Sequence, residues 1–202
     1  GLGIFLLTVL SFYFAPGEVR LSDAGLFSAL TSAYANAFSQ FQLPIISFVW
    51  GGGSLFMWYY GPFFFVVTSL LSLVTGLDFA IKLILFLLHM GAALLMFWLA
   101  KKWTKNNYAA LIAALAYTLS FEHIGMITII GRWTTAVLYL LFPLLFIIFE
   151  GIYARRQVLR LVLTLSLLHA LLFITNPADA LFLLAGFWVY ILVRLWHQPL
   201  RL

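Results

Sequence analysis

Residues 79–102 read FAIKLILFLLHMGAALLMFWLAKK, and this stretch decides the fold. From Phe79 to Ala100 the run carries a single charge, Lys82, and it stops at the pair Lys101-Lys102. Wound as a helix it reaches about 33 Å, enough to cross a hydrocarbon core of roughly 30 Å. The rest of the chain agrees with that reading. Of 202 residues, 65% are hydrophobic and 8% are charged, and the mean hydropathy is +1.10. Soluble domains carry about a quarter charged residues. Too few charges are present to solvate a globular surface, so the composition implies an all-α integral membrane protein. The net charge of +5 does not point to nucleic acid, because the charges sit in short clusters between apolar runs. The absence of cysteine excludes disulfides, thiolate chemistry and cysteine-based metal sites.

Working outward from that helix, the apolar runs Gly1–Ala15, Tyr108–Phe121, Thr134–Tyr153, Leu159–Thr175 and Ala180–Trp196 make five further spans, six in all. Basic residues cluster at Lys101, Lys102 and Lys105, at Arg155, Arg156 and Arg160, and at Arg194 and Arg201. Acidic residues fall in the opposite loops, at Glu18, Asp23, Asp78, Glu122 and Asp179. The positive-inside rule then puts both ends in the cytoplasm and residues 16–78 outside. Making 62–76 a span instead would carry Lys101, Lys102 and Lys105 outside, against the charge asymmetry. The opening GLGIFLLTVLSFYFA would span only about 22 Å, so a few preceding residues, and a longer parent chain, are expected.

The external loop holds two further helices. Over residues 24–40, Leu26, Phe27, Leu30, Tyr34 and Phe38 make one apolar stripe, which suits a helix in the interface plane with the Tyr34 hydroxyl at the headgroups. Residues 62–75, PFFFVVTSLLSLVT, are apolar but short, and suit an interfacial or re-entrant helix with Pro62 in its first turn. Between them lies WGGGSLFMWYYGPFFF, residues 50–65. Gly51–Gly53 are followed by Ser54, Leu55 and Phe56 rather than the Lys and Ser or Thr of a phosphate loop. The glycines permit a sharp bend, and Trp50, Trp58, Tyr59 and Tyr60 suit the headgroup level.

That order of features resembles the GT-C superfamily of polyprenyl-phosphate-dependent glycosyltransferases. It is similar above all to bacterial and archaeal membrane proteins described as "6-pyruvoyl-tetrahydropterin synthase-related". The residues carrying the resemblance are Asp23, Leu43-Pro44, Trp50, Gly51–Gly53, Tyr59-Tyr60, Pro62, Gly76-Leu77, Lys82, Leu99–Lys102, Ala109–Ser120 and Gly131-Arg132. Two departures stand out. Trp133, Thr134, Thr135 and Ala136 follow Arg132 where that pattern has an acid, and no His lies near Asp23. The resemblance implies a prokaryotic cell-membrane enzyme that moves a sugar from a polyprenyl-phosphate donor on the outer face. Asp23 would be its catalytic base, Arg132 would hold phosphate, and Trp50, Tyr59 and Tyr60 would line the lipid-head and sugar site.

Each of these residues also has a plainer reading. Asp23 precedes a helix and is a favoured N-cap. Arg132 is an interfacial cation able to reach headgroups. Glu122 and His123 would bind substrate hydroxyls or a divalent metal, or pair with Arg132. In Asn176-Pro177-Ala178-Asp179, a turn is expected with Asp179 capping the last helix. His89 and His169 lie inside apolar runs and raise a haem or chlorin pigment as a cofactor, or simple hydrogen bonds to neighbouring helices. The alternative function is a non-catalytic transmembrane subunit packed in a larger membrane complex, where lipid or pigment would meet its aromatic surface.

Overall fold

The computed structural model of the chain describes residues 11–14, 23–42, 46–47, 54–55, 61–155 and 158–197. After a 3-10 turn, Ser11–Phe14, come helices α1 (Ala24–Ser39), α2 (Phe63–Thr75), α3 (Leu77–Thr104), α4 (Asn107–Thr118) and α5 (Phe121–Ile124). A π-helical turn, Gly125–Ile129, leads to α6 (Trp133–Arg155), α7 (Val158–Thr175) and α8 (Pro177–His197). A two-residue antiparallel pairing, Ile46–Ser47 with Ser54–Leu55, brackets the glycine run. Gly51–Gly53, Trp50, Tyr59 and Tyr60 lie outside the described residues. The protein is an all-α membrane protein.

Among the described residues, three helices are long and apolar enough to cross a membrane: Leu77–Thr104, Trp133–Gly151 and Pro177–His197. Asn107–Thr118 with Phe121–Ile129, bent by 40°, makes a fourth if the two count as one span. Phe63–Thr75 and Leu159–Thr175 are shorter apolar helices. The sequence expectation of six spans therefore differs at Leu159–Thr175, which is short, and at α4, which stops at Thr118 instead of running on to Phe121. Ser120 ends that run by starting a new helix, its hydroxyl accepting the His123 N–H at 3.2 Å. Of the expected first span, Gly1–Ala15, residues 11–14 are described.

Local chemistry sets the other boundaries. Gly76, at φ 85°, turns the chain from α2 into α3, a conformation open to glycine without a Cβ penalty. Asn106 Oδ1 caps α4, accepting from the Tyr108 and Ala109 N–H groups at 2.8 and 3.2 Å. Pro143 sits inside α6 and has no N–H to give the carbonyl one turn back, at Tyr139. The Tyr117 hydroxyl donates to that carbonyl at 2.8 Å, so the helix runs on through the proline with the freed acceptor satisfied.

The longest helix, α3, is the spine. Ala92 and Ala93 on it, and Ala110 and Ala114 on α4, are all fully buried, and such small residues let two helix backbones approach closely in a membrane. The top of α4 meets α3 at His89, whose Nε2 lies 2.9 Å from the Thr118 carbonyl. His89 is twelve residues into α3, so roughly 18 Å of α3 projects past the end of α4. Beside that projection α2 runs back down, and α1 packs on α2. Phe27 stacks on Phe65 at 5.5 Å between centroids, Phe64 meets Trp133 at 6.1 Å, and Ser69 Oγ donates to the Thr31 carbonyl at 2.8 Å. The Tyr34 stripe is thus corrected. It is the contact face of α1 within the protein, and Tyr34 is 1% exposed rather than reaching headgroups. Burial pushes its hydroxyl pKa up to about 12.

Burial falls from the centre outward. The best apolar window is 61% buried in α6 but 22% buried in α8. Val74, Phe182 and Trp196 are among the large apolar side chains left at least 80% exposed, the pattern expected when hydrocarbon takes the place of water at the surface.

Candidate functional site

Two charged residues far apart in sequence meet where α1 and α6 begin. Asp23 is tied in place by its backbone, its N–H donating to the Ile130 carbonyl at 2.9 Å and its own carbonyl accepting from Phe27 N at 3.0 Å. Its φ and ψ, −75° and −11°, are already helical, and its side chain accepts no capping bond. A side chain caps a helix from an extended backbone, so here the carboxylate is released to point elsewhere. It points at Arg132. Gly131, at φ 80°, swings the chain out of the π turn, and the Arg132 N–H closes that turn on the Met126 carbonyl at 2.8 Å. Arg132 Nε then stands 3.8 Å from Asp23 Oδ2, with the two side chains 45% and 36% exposed. That separation is too long for a hydrogen bond. Among the described residues the pair is an open one: a carboxylate that accepts no hydrogen bond, beside a guanidinium whose planar fork matches phosphate.

The first turn of α6 also holds α8. Thr135 Oγ1 donates to Asp179 Oδ2 at 3.0 Å, and Asn176 Nδ2 donates to the same oxygen at 2.8 Å. Asn176 Oδ1 in turn accepts the Asp179 N–H at 3.2 Å. The capping expectation is corrected here: Asn176 caps α8, Pro177 takes the first helical position, and Asp179 clamps α8 to α6. Arg132 and Thr135 thus carry one carboxylate contact each at the same helix end, where the helix dipole favours negative charge.

Glu122 and His123 part company. Glu122 is exposed, and its carbonyl accepts from the Tyr139 hydroxyl at 3.3 Å. His123 is 1% exposed and faces inward, sandwiched between the His89 ring at 4.4 Å and the Tyr139 ring at 4.2 Å. Its Nδ1 donates to the Tyr117 carbonyl at 3.2 Å, and its Nε2 is buried with no hydrogen-bond partner among the described residues. It therefore does not stand with Glu122 on an exposed binding surface.

Of the two histidine readings, His89 follows the hydrogen bond to a neighbouring helix. His89 Nε2 donates to the Thr118 carbonyl, which leaves Nδ1 to accept from the Tyr13 hydroxyl at 3.1 Å. Both nitrogens are engaged, so His89 has none left for a haem or chlorin metal. Its ring stacks on that of His123. His169 lies apart on α7, with Nδ1 on the Leu165 carbonyl at 2.6 Å, beside an apolar groove of about 550 Å³ that Phe149, Leu165, Trp188 and Ile191 help to line. Among the described residues no group of three His, Asp or Glu side chains could hold a metal ion.

One polar cluster escapes the sequence reading. Glu150 Oε1 accepts from the Tyr190 hydroxyl and, at 3.2 Å, from Arg194 Nε. The available signal was Glu150 itself, the single acid in an apolar run, with Tyr190 and Arg194 spaced i and i+4 on α8. Compared with known proteins, the chain matches no family model, no curated protein and no solved structure.

Proposed function

We propose that the chain is a GT-C-like membrane glycosyltransferase acting on a polyprenyl-phosphate sugar. The observation that carries this reading is the Asp23 carboxylate, turned away from its own helix and toward Arg132 at 3.8 Å. In the reaction, the acceptor hydroxyl gives its proton to Asp23 as its oxygen bonds to the anomeric carbon. The bond from that carbon to the donor phosphate oxygen breaks, and the phosphate leaves with the electron pair, held by Arg132. Attack opposite the leaving group inverts the anomeric centre. In this reading the pair faces the outside of a prokaryotic cell membrane, both chain ends are cytoplasmic, and the aromatic residues Trp50, Tyr59 and Tyr60 hold the lipid head and sugar. The test is transfer of labelled sugar from a polyprenyl-phosphate donor by membranes carrying the chain. Asp23→Asn should abolish transfer while the purified protein keeps its elution profile and helical content; retained transfer sinks the assignment.

A second reading, a non-catalytic subunit of a larger membrane complex, draws on a different observation. Helix α8 buries little of its surface, and the groove beside His169 opens next to it. It calls for co-purification with another membrane protein at fixed stoichiometry. A chain that elutes alone and monodisperse after mild extraction counts against it.

A further inference from the structure

At the far end of α3 from the Asp23–Arg132 pair, the helix presents an exposed stripe, notched at Gly91, where a Cβ would meet Leu140 Cδ1 at 2.7 Å. Leu87, Leu94 and Trp98 are 52%, 47% and 61% exposed. Their spacing of seven and four places them on one helix face, and Lys101 and Lys102 continue that face. Lys105 ends the helix in a left-handed conformation, φ 54°. All three lysines are exposed, and none is paired with a carboxylate among the described residues. Tyr108, 80% exposed, stands on the other arm of the hairpin, where Asn106 caps α4.

The stripe from Leu87 to Lys101 is roughly 21 Å long, a little more than one leaflet's hydrocarbon of about 15 Å. It is thus apolar over the depth of one leaflet and cationic where the leaflet ends, with Trp98 near the boundary. A free anion would use the lysines and leave the stripe idle. A neutral lipid would use the stripe and leave three unpaired cations idle. We propose that this face of the α3–α4 hairpin is a binding site for an anionic phospholipid. Its phosphate sits on Lys101, Lys102 and Lys105, and one acyl chain lies along Leu87, Leu94 and Trp98. The site is independent of the transferase reading.

The test uses the purified full-length chain and native mass spectrometry. Phosphatidylglycerol and phosphatidylcholine of equal chain length compete for it. The wild type should retain phosphatidylglycerol preferentially. Each lysine near a surface phosphate contributes roughly fivefold, so Lys101→Gln, Lys102→Gln and Lys105→Gln together should cut the preference by more than about tenfold. Lys101→Glu alone, a change at an exposed position, should lower it in the same direction. Trp98→Ala should weaken both lipids and leave the preference in place. Arg160→Gln, on a different hairpin, should change nothing. Equal retention of the two lipids overturns the proposal, as does a preference that survives the triple variant. Inorganic phosphate displacing phosphatidylglycerol at equal concentration overturns it too, and identifies a free-anion site.

Discussion

Tyr117 offers the sharpest test of how this bundle tolerates its own sequence. Pro143 leaves the Tyr139 carbonyl without its helical donor, and the Tyr117 hydroxyl fills the gap at 2.8 Å. Tyr117→Phe keeps the ring and removes that donor. A buried acceptor left unsatisfied costs about 1–3 kcal/mol, and the low-dielectric surroundings favour the upper half of that range. Pro143→Ala restores an N–H at the right place, so the Tyr139 carbonyl no longer needs Tyr117. The two changes must therefore couple: Tyr117→Phe should cost about 2 kcal/mol in the wild type and less than about 0.5 kcal/mol in the Pro143→Ala background. Reversible unfolding of the four proteins of this cycle, in one detergent, measures the coupling directly. If the two substitutions act additively, the hydroxyl is not answering the proline and the argument fails.

Three further outcomes are expected. Asp23→Ala should cost less than about 1 kcal/mol of stability, since its side chain caps nothing and its ion pair with Arg132 is exposed; a larger loss in thermal unfolding would show a capping role after all. Glu150→Gln should destabilise by about 1.5–3 kcal/mol through the weakened bond to the Arg194 cation, visible as a lower unfolding midpoint, and Arg194→Gln in the same background should add little. Gly61→Ala should impair folding at least as much as ordinary overpacking, about 1–3 kcal/mol, because its Cβ would fall 1.5 Å from the Ile174 carbonyl oxygen; normal yield and midpoint would refute the close approach of α2 to α7.

Much of the architecture is legible in local composition. The run Phe79–Ala100 anticipates α3, and Thr134–Tyr153 lies within Trp133–Arg155. Leu159–Thr175 and residues 62–75 land within a residue or two of α7 and α2. These succeed because an apolar helix in a membrane satisfies its own backbone and needs no knowledge of its neighbours. The failures are all about neighbours. The α1 stripe was read as facing lipid, yet Phe65 and Trp133 cover it. The stacking of His89 on His123 went unread, because α4 stops short at Thr118 and the chain folds over it. Asp179 caps nothing, because Asn176 and Thr135 together hold its carboxylate.

Taken alone, the sequence determines that this is an all-α membrane protein, where its long apolar helices lie, and which end of α3 is basic. It also singles out Asp23 and Arg132 as residues worth watching. It leaves open that they meet. Hydropathy and charge clustering are one-dimensional and survive without a fold. The 3.8 Å pairing of residues more than a hundred positions apart depends on the Gly131 turn, the helical backbone of Asp23 and the packing of α1 onto α2 and Trp133. Tertiary structure alone brings those three together.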